Sequence, residues 1–240
     1  MFKVVKKRQL NDLTYSMTIL APLVAQNIMP GQFVMVMTDE NSERIPLTIS
    51  DFDKEKGEVT IVFQAIGAST IKLSNKNEGE EIAHFAGPLG AATELENVKN
   101  ACVIGGGVGT PPMYNLAKQL IAAGQKPTVI LGFTSKDDVF YEEEFKALGC
   151  DVYVTTNDGS YGTKGLVTNA LKELIDAIIT SLNAKANHDD VQTQLSKKAN
   201  DFSIELYNGT QGNPKPIKFA SFDYSTCGAE NGILAKISMV

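Results

Sequence analysis

Arginine is scarce in this chain of 240 residues, where only Arg8 and Arg44 are arginines among 22 basic residues. A guanidinium grips phosphate oxygens at two points, which an ammonium cannot do, so each arginine is a candidate phosphate ligand. The formal net charge is −6 and no run of like charge is longer than a few residues. This pattern excludes nucleic acid as a ligand for the bulk of the chain.

Cysteines and long apolar runs are also scarce. Cys102, Cys150 and Cys227 lie far apart, a spacing that fits neither a disulfide framework nor a zinc site. No apolar run approaches the length of a membrane span, and no apolar core follows the basic N-terminal residues as it would in a secretory signal. The sequence therefore predicts a cytoplasmic protein with reduced thiols, no metal site and no membrane association.

The pattern of apolar residues divides the chain into three parts. Residues 1–98 form short alternating segments separated by turns, which is typical of a small antiparallel β-barrel. Residues 99–175 alternate strands with helices, which is typical of a parallel α/β unit. Residues 176–240 are polar at first and contain an echo, LNAKAN followed thirteen residues later by LSKKAN. We predict an α/β plus β fold, in which a barrel and a parallel α/β domain precede an atypical tail.

A glycine cluster is the strongest sign of a binding site. In ACVIGGGVGTPPMY, at 101–114, a strand-like run enters the glycines and an amphipathic helix pattern leaves them. Glycines permit positive φ and let phosphate approach backbone N–H groups, and the helix directs its positive end to the same place. The same residues could simply form a tight turn, and GGGxG differs from the GxGxxG fingerprint. However, loops at 132–136 and 155–161 are expected at the same sheet edge, which favours a nucleotide site.

Seven motifs give residues 1 to about 174 a resemblance to the FAD- and NAD(P)-binding reductases typified by ferredoxin–NADP reductase. They are PGQFVMV (30–36), ERIPLTIS (43–50), VFQAIGAST (62–70), GPLG (87–90), GGGVGTPPMY (105–114), GFTSKDDVFYEEEF (132–145) and TTNDGSYGTKG (155–165). The electron-transfer subunit of NAD-linked dihydroorotate dehydrogenase is the most similar type. The small subunit of electron-bifurcating NADH-dependent ferredoxin–NADP reductases shares ERIPLTI and GPLG and remains an alternative.

The resemblance implies a FAD-dependent NAD(P)H oxidoreductase that passes electrons to a catalytic dehydrogenase subunit, in pyrimidine biosynthesis, or to a ferredoxin-like acceptor. It implies that Arg44 holds the FAD pyrophosphate and that Pro46 and Leu47 lie along the flavin ring. Thr48 is the implied catalytic residue, because its hydroxyl matches one beside the part of the ring that accepts hydride. The other implied cofactor residues are Gly67, Ser69, Thr70, Gly87, Gly105, Gly106, Gly107, Val108, Gly109, Thr110, Asp158, Gly159 and Ser160.

Two details bear on the cofactors that the resemblance implies. Thr134 stands where the family often has an arginine, and only Lys136 is near to attract a 2′-phosphate, so NADH is favoured over NADPH. Asp158 lies in an Asp-Gly pair and could equally be a turn residue.

After about residue 174 the chain departs from the family. The four closely spaced cysteines that hold a [2Fe–2S] cluster in the dihydroorotate subunit are absent, so no such cluster is expected. The family's fourth strand, which ends in Cys-Gly-Pro, is not found at its usual spacing. The stretch Cys227-Gly228-Ala229-Glu230 is similar but begins 62 residues after Gly165, and we interpret it as chance. Without a fourth strand, the edge of the strand before the glycine cluster stays open unless the tail covers it.

The tail resembles a segment of phage tail-fibre proteins, both in its echo and in GNPKPIKFASFDYSTC at 212–227. This resemblance implies a fusion that could self-associate through a helical repeat and a fibre-like β segment. Three hypotheses remain open: a reductase that still turns over, a non-catalytic FAD- or nucleotide-binding module, and a structural protein whose tail forms trimers.

Overall fold

The computed structural model describes residues 1–95, residue 98, residues 100–183 and the backbone of the strand Phe202–Leu206. In this part of the chain an antiparallel sheet precedes a parallel sheet with helices on both faces. The predicted α/β plus β fold class is confirmed. The domain boundaries at 98 and 175 remain predictions.

The N-terminal sheet has seven strands and curls into a half-barrel. Its order is β6-β1-β2-β5-β4-β3-β7 with antiparallel pairing. The edge strands β6 and β7 follow each other in the chain with only Ala83 between them, so the two edges stay close. Alternate apolar side chains fill the concave side, Val4, Met17, Val34 and Ile61 among them. The strands are β1 (Phe2–Gln9), β2 (Thr14–Leu20), β3 (Phe33–Met37), β4 (Ile45–Asp53), β5 (Glu58–Gln64), β6 (Glu81–Ile82) and β7 (His84–Leu89).

Two short helices, α1 (Pro22–Asn27) and α2 (Ala68–Ser74), interrupt the half-barrel. The sequence analysis did not predict them, because six or seven residues are too few for a helical period to stand out. Local chemistry starts each one. Pro22 supplies a preset φ at the first position of α1, and the Thr70 hydroxyl accepts the Gly67 N–H at 3.1 Å at the start of α2.

The second sheet is parallel and has the order β11-β10-β9-β8-β12. Helices α3 and α4 pack on one face of it and α5 on the other. The strands are β8 (Asn100–Gly106), β9 (Thr128–Phe133), β10 (Asp151–Thr156), β11 (Thr163–Lys164) and β12 (Phe202–Leu206). The helices are α3 (Thr110–Ala122), α4 (Glu142–Ala147) and α5 (Val167–Asn183).

Two helices differ from the pattern in the sequence. The sequence DVFYEEEFKALG at 138–149 is expected to be one of the helices that alternate with strands, but this region forms a 3₁₀ turn at Lys136–Asp138 and the short α4. The interruption lies at Tyr141, whose φ of +68° is incompatible with a continuous right-handed helix. Helix α5 in turn extends to Asn183, beyond the residue where the tail was predicted to begin.

Strand β12 pairs in parallel with β8 over its whole length, from Phe202 opposite Asn100 to Leu206 opposite Ile104. It therefore covers the edge of β8 that the sequence analysis left open. Most of the tail lies outside the described residues, including all of the second echo, the fibre-like stretch 212–227 and the Cys227-Gly228-Ala229-Glu230 segment.

Among the described residues, no helix combines the length and apolar character needed to cross a bilayer. The cytoplasmic location stays a prediction.

Candidate functional site

A cleft of about 320 Å³ lies where the carboxyl ends of β8, β9 and β10 meet the half-barrel. Open α/β sheets bind ligands at this edge, because helix N-termini and connecting loops converge there. The barrel contributes Asn11 and Gln64 to the cleft wall. The parallel sheet contributes Gly106, Gly107, Gly132, Phe133, Thr134, Thr155 and Asn157.

The glycines of the cluster have different structural roles. A Cβ on Gly105 would lie 2.8 Å from the Thr110 Cα, so this glycine allows α3 to pack closely on β8. Gly107 has φ +50°, and a Cβ added to it would have no heavy atom within 4 Å. A Cβ added to Gly106 would lie 3.8 Å from the nearest atom, the Gly132 carbonyl oxygen. Gly106 and Gly107 thus leave space in the cleft that fits a pyrophosphate, whereas Gly105 serves the fold.

The start of α3 offers few hydrogen-bond donors to a phosphate. Pro111 and Pro112 have no N–H, and the Thr110 N–H is already bonded to the Gly107 carbonyl. Gly109 and Thr110 are buried and Val108 is half-buried, and the Thr110 hydroxyl has no partner in the described part of the chain. A phosphate at this edge would therefore find more open space at the glycine turn than donors at the start of α3.

The predicted residues 158–160 form a turn tied to the end of β9. The Asp158 N–H donates to the Thr134 carbonyl at 3.3 Å, and the Lys136 N–H donates to Ser160 Oγ at 2.8 Å. Asp158 Oδ1 accepts the Ser160 hydroxyl at 2.7 Å and its N–H at 2.9 Å. These bonds hold the pKa of Asp158 below its usual range. The carboxylate thus stabilises its own turn, with Gly159 in that turn at φ +78°, next to Asn157 of the cleft.

Strand β4 presents two different faces. Ile45, Leu47 and Ile49 pack on the core of the half-barrel, so Pro46, Thr48 and Ser50 lie on the opposite face. Exposure along this second face falls steadily, since Pro46 is exposed, Thr48 is half-buried and Ser50 is fully buried. The α/β domain therefore covers the end of β4 and leaves its beginning open, where the flavin ring was predicted.

The residue before Arg44 contacts the 67–70 turn beside the start of β4. The Ser69 hydroxyl donates to Glu43 Oε2 at 3.4 Å, which joins the two segments. Arg44 is exposed and makes no ion pair or hydrogen bond with the described residues, so its guanidinium is available to an anion. These groups fit the phosphates of FAD. Gly87 also has a role in packing, because a Cβ there would lie 2.8 Å from Val34 Cγ1, so the glycine allows β7 to pack on β3.

Several residues of the cleft were not predicted individually. Gly132, Thr155 and Asn157 are at or just after strand ends, so the strand-end rule applied residue by residue could have found them. A Cβ on Gly132 would lie 2.5 Å from Val167 Cγ1, which explains a glycine where α5 crosses β9. Gln64 gives no such signal, because it approaches the cleft from the other sheet.

Comparison with known proteins places this architecture in a family. Residues 103–192 match the family described as Oxidoreductase NAD-binding domain. A dihydroorotate dehydrogenase B (NAD(+)) electron transfer subunit from Bacillus pumilus is 42% identical over 176 residues, which are 71% of this chain and 67% of that protein. A homolog of that subunit from Thermotoga maritima is 41% identical over 172 residues, which are 72% of this chain and 61% of that protein.

A solved structure of the NADH-dependent reduced ferredoxin–NADP oxidoreductase, reported for flavin-based electron bifurcation, is also similar. It is 33% identical with a TM-score of 0.68, and the match covers 86% of this chain and 76% of that one. This chain spans about three fifths of the length of several curated relatives, with matches over 62%, 61% and 64% of three of them. The chain belongs to the ferredoxin–NADP reductase-like family of flavin- and NAD-binding reductases, together with the dihydroorotate dehydrogenase B electron transfer subunits.

Proposed function

We propose that this chain is a flavin-dependent electron-transfer subunit that moves hydride from NADH to FAD and passes electrons to a catalytic dehydrogenase subunit. The cleft carries the proposal, because it joins the glycine turn of Gly106 and Gly107 to the half-barrel residues Asn11 and Gln64. When bound, FAD supplies the redox chemistry by accepting a hydride and releasing electrons singly. The chain then needs to supply binding, orientation and exclusion of water.

On the FAD side, each proposed role follows from exposure and chemistry. The unpaired guanidinium of Arg44 neutralises the pyrophosphate, and the Ser69 hydroxyl supports it from the neighbouring turn. The backbone of Pro46 and Leu47 lies along the ring. Thr48, half-buried on the outer face of β4, holds a hydroxyl where it can bond the ring region that receives hydride.

On the dinucleotide side, the backbone of Gly106 and Gly107 holds the pyrophosphate, since the two prolines at the start of α3 cannot donate. The turn of Asp158, Gly159 and Ser160 borders the cleft beside this pyrophosphate site. Its hydrogen bonds to Thr134 and Lys136 hold the turn against the end of β9.

A carboxylate in the cleft supports a preference for NADH. Asp138 lines the cleft and accepts two hydrogen bonds from Ser135, at 3.1 Å from its N–H and 2.9 Å from its hydroxyl. Lys136 lies nearby, and its ammonium sits 5.9 Å from the Tyr161 ring centroid. A 2′-phosphate carries about two negative charges and would meet the Asp138 carboxylate, so the 2′-hydroxyl of NADH is favoured.

Three cysteines cannot supply four thiolates, so we propose no [2Fe–2S] cluster on this chain.

The absorbance spectrum of the purified full chain, followed by anaerobic titration with NADH and NADPH, tests this proposal. We expect flavin bands that NADH bleaches at lower concentration than NADPH. Arg44→Ala should weaken FAD binding about 10- to 100-fold, since charge-assisted hydrogen bonds are lost. Lys56→Ala removes an equal charge at the turn between β4 and β5 and serves as the control. Equal FAD retention in both variants would overturn the assignment of the FAD site.

A second candidate is the small subunit of an electron-bifurcating reductase, favoured by the structural similarity over 86% of this chain. The acceptor distinguishes the two. The NADH-reduced chain would be mixed anaerobically with the purified catalytic subunit of a dihydroorotate dehydrogenase B or with a ferredoxin, and reoxidation of the flavin followed. Faster reoxidation by the catalytic subunit supports our proposal, and faster reoxidation by ferredoxin supports the alternative.

A further inference from the structure

We propose that Tyr141 is a positioning residue, which locks the nucleotide-binding sheet against β4 and so sets the approach of the nicotinamide to the flavin. The inference rests on the proposed function and assigns a role to a residue outside both cofactor loops. Three observations support this role: a buried hydrogen bond between Tyr141 and Ser50, the position of Ser50 on β4, and the backbone conformation of Tyr141.

The hydrogen bond joins the two sheets at a buried point. Tyr141 Oη lies 3.0 Å from Ser50 Oγ, and the two residues are 91 positions apart in the chain. Ser50 is 0% exposed and Tyr141 is 7% exposed, so water does not compete for the bond. Burial raises the pKa of Tyr141, with hydrogen bonds to Ser50 and Ser16 acting in the opposite direction. The phenol thus keeps its proton at neutral pH.

Ser50 lies on the same strand face as the proposed flavin residue Thr48. Ser50 comes two residues after Thr48, where the pairing of β4 with β5 shifts register between Ile49 and Asp51. A displacement of the α/β domain at Ser50 therefore reaches the neighbourhood of Thr48 along only two residues of β4.

The backbone of Tyr141 connects the same bond to the nucleotide cleft. Among the described residues, Tyr141 is the one non-glycine with positive φ. With that conformation, two successive aromatic rings point to different parts of the molecule. Phe140 lines the cleft, and Tyr141 contacts the half-barrel at Ser50. Their centroids are 5.7 Å apart, and Phe140 packs on Phe133 of the cleft wall at 5.1 Å. Movement of Tyr141 thus moves the wall against which the nicotinamide nucleotide is proposed to bind.

Another polar link near this point, between Arg8 and Glu144, is less constrained. Arg8 bonds Glu144 at 2.6 Å, but the Arg8 side chain is 50% exposed. A long charged side chain in water holds its partner with little directional precision. The Tyr141–Ser50 bond involves a ring enclosed by other rings, with Tyr114 at 5.3 Å, so it is the better defined of the two.

The test compares Tyr141→Phe, Ser50→Ala and the double variant in the full chain. Tyr15→Phe is the control, because it removes a hydroxyl from a ring stacked on Phe63 inside the half-barrel. Stopped-flow reduction at saturating NADH should slow about 3- to 100-fold in both single variants, as displacements of about 1 Å cost up to two orders of magnitude. FAD content and the Kd for NADH should stay near those of the parent chain. The double variant should be no slower than the slower single variant.

Hydrogen exchange of the same proteins provides a readout independent of turnover. We expect faster exchange of amides in β4 and α4 for the Tyr141 and Ser50 variants, and no change for Tyr15→Phe. Unchanged flavin reduction in Tyr141→Phe would overturn the positioning role, even if thermal stability falls. If NADH does not reduce the parent chain at all, the proposed function fails. In that case unchanged exchange in Tyr141→Phe would also overturn the lock, and faster exchange would support it.

Discussion

The ammonium of Lys118 lies 2.5 Å from Asp51 Oδ1, and this ion pair joins α3 of the nucleotide-binding sheet to β4 of the half-barrel. The two side chains are 33% and 31% exposed. Asp51 follows Ser50 directly, so the ion pair and the Tyr141 hydrogen bond secure the same end of β4.

Lys118→Met should weaken the contact between the two sheets while keeping the length of the side chain. We expect the free energy of unfolding to fall by about 0.5–1 kcal/mol, less so at high salt, because partly exposed ion pairs contribute in this range. Urea denaturation at low and high ionic strength measures the change. Lys126→Met is the control, since Lys126 pairs with Asp151 within one sheet at 65% and 58% exposure. Equal losses in the two variants would contradict a special role for the pair between the sheets.

Gly107→Ala should impair dinucleotide binding more than folding. The position has φ +50° with open space around it, so an added methyl group strains the backbone by about 1–2 kcal/mol and enters the space assigned to phosphate. Gly149→Ala controls for strain alone, because Gly149 has φ +86°, an equally open Cβ position and a place outside the cleft. Calorimetric titration with NADH should show weaker binding for Gly107→Ala only. Equal affinity in both variants would remove Gly107 from the site.

Stability should decrease at alkaline pH through Cys102. Burial raises the pKa of its thiol from 9.0 to about 12. The folded state then keeps a proton that the unfolded chain releases, so stability is complete below pH 9 and falls as the pH rises toward 12. One such group contributes a slope of up to about 1.4 kcal/mol per pH unit.

Urea denaturation at several pH values above 8 measures this slope, and Cys102→Ala should reduce it. Part of the slope should remain, since burial also raises the pKa of Tyr114 to about 12. An unchanged slope in Cys102→Ala would show that other groups control alkaline unfolding.

A chain that ends after residue 183 should aggregate. It lacks β12, so the backbone groups of β8 that pair with Phe202–Leu206 become an open sheet edge. Analytical ultracentrifugation would compare it with a chain that ends after residue 210 and keeps the strand. If both truncated chains sediment as the same species, β12 does not protect this edge.

Much of the fold is visible in the sequence because its signals are local. Alternation along 14–20 and 58–64 identifies β2 and β5, and the apolar run before the glycine cluster identifies β8. Helix α4 shows the limit of such patterns. Its start depends on the positive φ of Tyr141, and that conformation is maintained by ring packing and by a hydrogen bond to a residue 91 positions away.

The sequence alone determined that antiparallel strands precede alternating strands and helices, and it determined the family resemblance and the presence of a glycine turn suited to phosphate. The folded structure decided which glycine does what, since a Cβ on Gly105 would lie 2.8 Å from the Thr110 Cα, whereas Gly107 has φ +50° and an open Cβ position. It also paired β12 with β8 and buried Ser50 under Tyr141. The physical reason is distance along the chain: periodicity and turn chemistry act over a few residues, whereas packing between two sheets depends on residues that meet only after the chain has folded.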